Sequence, residues 1–184
     1  MIIFGIDPGS ERTGYGCIDS DGRRHRLVAC GSLSAPPDTS FPGRLQAIHE
    51  GLAMLLVEHR PSSVAIENIF YAKNVRSALR LGHARGVALL AASAAGIPVV
   101  EYTPAEIKRA VVGFGRAEKQ QGGQMVKLLL ALDAVPTPHD AADALAIAIC
   151  HVHSSSGCVA DAVRRLPGRR SFGGGGTSWR AYRP

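Results

Sequence analysis

The sequence predicts an α/β fold built on a five-stranded mixed sheet with helices on both faces. Three observations predict it. The chain opens with an almost continuous apolar run, Ile2, Ile3, Phe4 and Ile6, as in a central strand buried on both sides. Two further strand-like stretches follow, joined by turn residues, and make an antiparallel meander. After them, helically spaced apolar residues alternate with short apolar runs, the pattern of strand–helix–strand units.

The elements follow in order. Asp7-Pro8-Gly9-Ser10 interrupts the first strand and Thr13–Ile18 forms the second. Asp19-Ser20-Asp21-Gly22 is a strong turn signal, and a third strand lies near Arg26–Leu33. Ser34–Thr39, with two prolines, is a loop. A helix follows with Leu45, Ile48, Leu52, Leu55 and Leu56 on one face, and Pro61 stops it. Ser63–Glu67 is a short apolar strand that ends in a carboxylate. Asn74 is suited to cap a long helix reaching about Ala95. Gly96-Ile97-Pro98 then turns the chain into the strand Val99–Tyr102. Thr103-Pro104-Ala105-Glu106 combines a cap, a proline at the first helical position and an acid three residues after the cap. Another helix spans about Lys119–Leu132. Thr137-Pro138-His139-Asp140 repeats the start signal and opens an alanine-rich helix to about His153.

Beyond that point the composition changes. Serines, the Gly173–Gly176 run and scattered arginines leave little to bury, so residues 1–153 read as one domain. Residues 154–184 read as a basic, mostly disordered tail, with room for a short helix near Asp161–Leu166. The net charge of +6 follows the same division: residues 1–157 carry +1 and residues 158–184 carry +5. A nucleic-acid argument for the body must therefore rest on local patches. The four cysteines contain no CxxC pair, which excludes a cysteine-based zinc or redox motif and leaves reduced, buried thiols. No apolar run approaches the roughly 18–20 residues of a membrane span, and the N-terminus lacks a signal-peptide pattern. A cytoplasmic location is the expectation.

The chemistry lies in carboxylates. A charge on a buried strand is costly unless paired or metal-bound. Asp7 and Glu67 each end such a strand, at the carboxyl end where α/β sheets bind ligands. Asp140 and Asp143 are three apart at a helix start and share a face. Asp140 has a second reading, as the acid of a capping box. Asp143, flanked by alanines and leucine, has no such local role. Four carboxylates in one cleft need cations, and a metal pair about 4 Å apart can activate water and stabilise the leaving oxygen of a phosphodiester. Hard oxygen donors suit Mg2+. His151 and His153 are two apart, which a helix points in different directions, so they form no metal pair with each other.

Two basic stretches lie just downstream of these acids. Lys73, Arg76, Arg80 and Arg85 form one; Lys108, Arg109, Arg116 and Lys119 form the other. Each is either a solvated surface or a set of phosphate contacts. Phe70 and Tyr71 follow Glu67 and either stack on unpaired bases or anchor the loop to the core. Ala78, Gly82 and Gly86, four apart, make a small-residue stripe for internal packing or for a dimer face.

Four stretches together resemble the RuvC family of bacterial Holliday-junction resolvases, in the ribonuclease H-like superfamily. They are Gly5-Ile6-Asp7-Pro8-Gly9-Ser10 with Thr13-Gly14-Tyr15-Gly16; Ile66 through Asn74; Gly82-His83-Ala84-Arg85-Gly86; and Asp140 through Ala146. The resemblance covers about residues 1–153. It implies an endonuclease of recombination and repair that nicks two opposing strands of a four-way junction symmetrically. It implies Asp7, Glu67, Asp140 and Asp143 as metal-binding catalytic acids, with Mg2+ or Mn2+, and Lys108 and Lys119 in catalysis and DNA contact. It implies Phe70 as a base-stacking aromatic, a homodimer, and a RuvA–RuvB branch-migration partner. Three alternatives remain at this level: a related nuclease acting on another nucleic acid, a non-catalytic junction-binding module, and a kinase-like ATP binder sharing the first motif.

Overall fold

A computed structural model describes residues 1–68, 74–113 and 119–164, with backbone alone at 119–120 and 156–164. The strands are β1 (Ile2–Asp7), β2 (Thr13–Ser20), β3 (His25–Leu33), β4 (Ser63–Glu67) and β5 (Val99–Tyr102). The helices are α1 (Phe41–His59), α2 (Val75–Ala94), α3 (Pro104–Val112), α4 (Lys119–Leu129) and α5 (His139–Arg164). They form one five-stranded sheet in the order β3-β2-β1-β4-β5. The meander β1–β2–β3 is antiparallel, and β1–β4 and β4–β5 are parallel. This is the five-stranded mixed sheet with helices on both faces that the sequence predicts.

Period-two alternation divides the core. Ile3, Ile18 and Ala65 point to one face, where α3, α4 and α5 pack through Ile107, Val126 and Leu145. Phe4, Ile6, Val64 and Ile66 point to the other, covered by α1 and α2 through Ile48, Leu52, Ala88 and Ala92. Fully burying an aliphatic side chain such as Leu145 or Ile147 contributes roughly 1.5–3 kcal/mol.

Helix α5 comes unusually close to the sheet because the strands beneath it have no side chains there. A Cβ on Gly5 would lie 2.0 Å from the carbonyl oxygen of Ala144, and one on Gly14 2.1 Å from that of Asp140. A Cβ on Gly16, the register partner of Gly5, would lie 2.7 Å from Leu145. Three glycines on adjacent strands thus make a floor for the helix.

Local chemistry sets most ends. Ser40 caps α1 and Asn74 caps α2, its Oδ1 accepting the Arg76 N–H at 2.8 Å. Thr103 and Glu106 form the expected capping box of α3. Strand β2 runs to Ser20, two residues past the expected Ile18, and three helix boundaries differ from expectation. Helix α4 ends at Leu129, three residues short of Leu132. Pro138, expected at the first helical position of α5, stands before it, and the helix starts at His139. Its far end passes His153 and continues to Arg164, into the stretch read as tail; of the short helix expected near Asp161–Leu166, residues 161–164 belong to α5 and the rest lies outside the described residues. No helix among the described residues is long and apolar enough to cross a membrane.

Candidate metal centre and nucleic-acid interface

Strand register and alternation assemble the acids. Ile6 lies opposite Ile66, so the residues that end β1 and β4, Asp7 and Glu67, come next at the same end of the sheet. Asp7 is two residues beyond Gly5, and Glu67 two beyond Ala65, so both face α5 and α3. The glycine floor lets α5 descend onto this face and brings Asp143 to it. Asp7, Glu67 and Asp143, each half-buried, line one cleft of about 300 Å³ together with Lys108. Ile107, Val111 and Ile147 wall it with apolar surface. The cleft supplies hard carboxylate oxygens, one ammonium and low-dielectric walls, which suits a hard divalent cation and a phosphate.

Asp140 sits beside this cleft without lining it. It occupies the first turn of α5, where its charge favours the helix dipole. Its main chain lies against Gly14, whose register partner is Asp7, which keeps it one strand from the cleft acids. Helix α5 starts at His139 and not at Pro138, so Asp140 stands at its second position and not at the third, where a capping-box acid belongs.

Among the described residues, no three His, Cys, Asp or Glu side chains already form a set that could hold a metal ion. The shared cleft and that finding differ, and the cleft decides what the residues fit. Mg2+ is ordinarily held by one or two carboxylates plus water and substrate phosphate, not by an all-protein cage.

Of the basic residues, Lys108 lines the cleft and Arg109 is exposed beside it, both on α3. The capping box secures that helix: the Thr103 backbone N–H, then its hydroxyl, donate to Glu106 and hold its carboxyl below the ordinary range. Lys119 opens α4. Arg76 and Arg80 are exposed on α2, and the Arg80 guanidinium lies 5.5 Å over the Phe41 ring. Arg85 leaves the basic patch: it is half-buried and ion-paired with Glu101 on β5. Phe70, Tyr71, Lys73 and Arg116 lie outside the described residues.

The small-residue stripe on α2 faces outward. The inward face is Ala84, Ala88, Ala91 and Ala92, while Gly82 and Gly86 have nothing within 4 Å of an added Cβ. With Leu79 and Leu90, they line a shallow apolar groove. His151 and His153 diverge as expected. The first meets the Tyr102 hydroxyl at 2.9 Å, and the second meets His25. The sequence reading missed Tyr102 and the glycine floor. Gly14 and Gly16, two apart inside a strand, were the one signal for the floor.

The model of the family described as crossover junction endodeoxyribonuclease RuvC matches residues 3–151. The enzyme of that name from Pelotomaculum thermopropionicum is 52% identical over 153 residues, 83% of this chain and 93% of its own. Its counterpart from Halorhodospira halophila is 54% identical over 154 residues, 84% of this chain and 91% of its own. Among solved structures, T. thermophilus RuvC in complex with a Holliday junction substrate superposes with a TM-score of 0.82 at 34% identity. That match covers 86% of this chain and 96% of the other.

Proposed function

The chain belongs to the RuvC family of crossover junction endodeoxyribonucleases, and from that premise we propose how its residues divide the work of resolving a Holliday junction. It is an endonuclease of recombination and repair, and its family is divalent-metal dependent. Asp7, Glu67 and Asp143 are the metal ligands, and Asp140 completes the acidic set from the first turn of α5. The single observation that carries this assignment is the cleft that Asp7, Glu67, Asp143 and Lys108 share.

Two Mg2+ ions, or Mn2+ in their place, would be held by Asp7, Glu67, Asp143 and Asp140 and would supply Lewis acidity toward the scissile phosphate and the attacking water. The residues do the rest. Asp7 and Glu67, fixed at the ends of two paired strands, define the floor of the cleft. Asp143, carried by α5, closes it from above. Lys108 offers an ammonium to a phosphate oxygen, and Lys119, at the start of α4, is its partner in that role. Ile107, Val111 and Ile147 keep the dielectric low, which strengthens each of these interactions. Arg76, Arg80, Arg109, Lys73 and Arg116 hold the flanking backbone, and Phe70 and Tyr71 stack on bases opened at the crossover.

Symmetric nicking requires two such clefts, which a homodimer supplies. The outward groove of α2, with Leu79 60% and Leu90 59% exposed, supports that surface as the dimer face. The RuvA–RuvB branch-migration complex is the partner that delivers the junction. Residues 1–153 constitute the nuclease domain, and the residues after it add basic charge that contacts DNA without sequence preference.

The test is cleavage of a synthetic four-way junction with Mg2+, compared with duplex, flap and RNA–DNA hybrid substrates. Junction cutting in paired nicks is expected. Asp7→Asn is expected to lose roughly a thousandfold in rate, as several kcal/mol of cation-dependent stabilisation corresponds to at 1.36 kcal/mol per tenfold. Unimpaired cutting by that variant refutes the metal role. Binding without nicks under any divalent cation makes the protein a non-catalytic module.

A further inference from the structure

The geometry points to a second cation site, for a divalent transition metal of the Zn2+ class, held by His25 of β3 and His153 of α5. His153 is ten residues from Asp143 along the same helix, roughly 15 Å at 1.5 Å per residue, so the site is separate from the carboxylate cleft. The two Nε2 atoms lie 3.2 Å apart. The rings meet through their edges, with centroids 5.2 Å apart and planes inclined by 51°.

The hydrogen bonds on the far side of each ring fix what the facing nitrogens offer. His153 Nδ1 lies 2.9 Å from the Ala110 carbonyl oxygen, which can accept and never donate. Nδ1 therefore carries the proton, and the Nε2 lone pair of neutral His153 points at His25. His25 Nδ1 lies 2.8 Å from the Ser20 hydroxyl, which already accepts the Gly22 N–H at 3.0 Å. A hydroxyl can also donate, so His25 has two tautomers. In one, its Nε2–H donates to His153 and the pair is satisfied without metal. In the other, Nδ1–H donates to Ser20 and two lone pairs face each other across 3.2 Å, an arrangement that a cation stabilises.

The spacing suits that cation. Zinc–imidazole bonds of about 2.0–2.1 Å at the tetrahedral angle set two nitrogens roughly 3.3 Å apart. Oxygen partners on the outer ring nitrogens are what orient ligating imidazoles. His25 lines a surface depression with Asp19, Asp21 and Arg24, which leaves room for water to complete the coordination. The surrounding charges are balanced. Asp19 is committed to the N-terminal amine and Arg26, and Asp21 to the backbone N–H groups of Arg23 and Arg24. Burial, then the neighbouring His153, keep His25 below the ordinary histidine range, which favours its neutral, ligating form. Imidazole favours Zn2+, Ni2+ or Cu2+ over Mg2+, so the two sites sort their cations by ligand chemistry.

Zn2+ titration of the full chain in excess Mg2+, followed by calorimetry and thermal unfolding, tests this. The native protein is expected to take up one Zn2+ more per chain than His25→Gln or His153→Gln. Zn2+ is expected to raise its Tm and to leave theirs unchanged. Equal uptake by all three proteins overturns the site. Since either variant can misfold, long-range 1H–15N spectra of the native chain give an independent answer. Equimolar Zn2+ is expected to shift both Nε2 resonances, and resonances that stay in place overturn the proposal.

Discussion

At the scale of single residues, the acids differ in how their positions were readable. Asp7 and Glu67 were legible because a charge that ends an apolar strand has few structural uses, and register then set them side by side. Asp143 was legible because a helix interior flanked by alanines disfavours an aspartate. Arg85 was not: its partner Glu101 sits on a strand brought near by the fold, and nothing in the local sequence distinguishes it from Arg80. The second reading of Asp140, as a capping acid, fails for a related reason. Thr137-Pro138 and Thr103-Pro104 carry the same start signal, yet α3 begins at Pro104 and closes its capping box, whereas α5 begins one residue past Pro138, at His139. His151 gives a pH prediction at this scale. Burial lowers its folded pKa from the ordinary 6.5. The unfolded chain then takes up the proton first, so this contribution to stability is full above the unfolded value and is lost as pH falls through the folded one. The Tm is expected to fall between pH 7 and 5, and His151→Gln, which can keep a hydrogen bond to Tyr102, is expected to flatten that fall. An unchanged slope in calorimetric scans contradicts the assignment.

At the scale of elements, α5 is the part on which the site depends. It carries Asp143 into the cleft and Asp140 beside it, and it rests on strands without side chains at Gly5, Gly14 and Gly16. Its period was readable from the alanine-rich sequence; its depth was not, because depth follows from close approach between segments far apart in the chain. Gly14→Ala sets a methyl group 2.1 Å from the Asp140 carbonyl oxygen, so the helix start must move. A displacement near 1 Å can cost about a hundredfold in rate. Cleavage is expected to drop by roughly ten- to a hundredfold while far-UV circular dichroism keeps the native helix signal. Full activity in this variant would mean that the helix start yields without disturbing the acids.

At the scale of the whole molecule, the sheet is a partition. One face carries α3, α4, α5 and the carboxylate cleft, and the other carries α1 and α2. The outward groove of α2 therefore lies across the sheet from the chemistry. Leu79→Glu sets a charge in that groove at a position 60% exposed in the chain, so folding of the protomer is expected to survive. Sedimentation is expected to report a monomer that binds junctions and no longer delivers paired nicks; a persistent dimer would move the interface elsewhere. Residues 165–184 contribute five arginines and no acid. Their removal is expected to weaken non-specific DNA binding and to reduce its salt slope by about 0.9 for each phosphate they neutralise, with junction cutting retained. Equal affinity at low salt with and without them would dismiss that role. The partition also has a genetic consequence. On the proposed pairing through α2, a chain crippled at Asp7 would keep that surface intact and would still pair with a healthy copy. Such a mixed pair would cut one strand and leave the other whole, so an inactive allele is expected to be dominant over the working one, in proportion to its dosage in the cell.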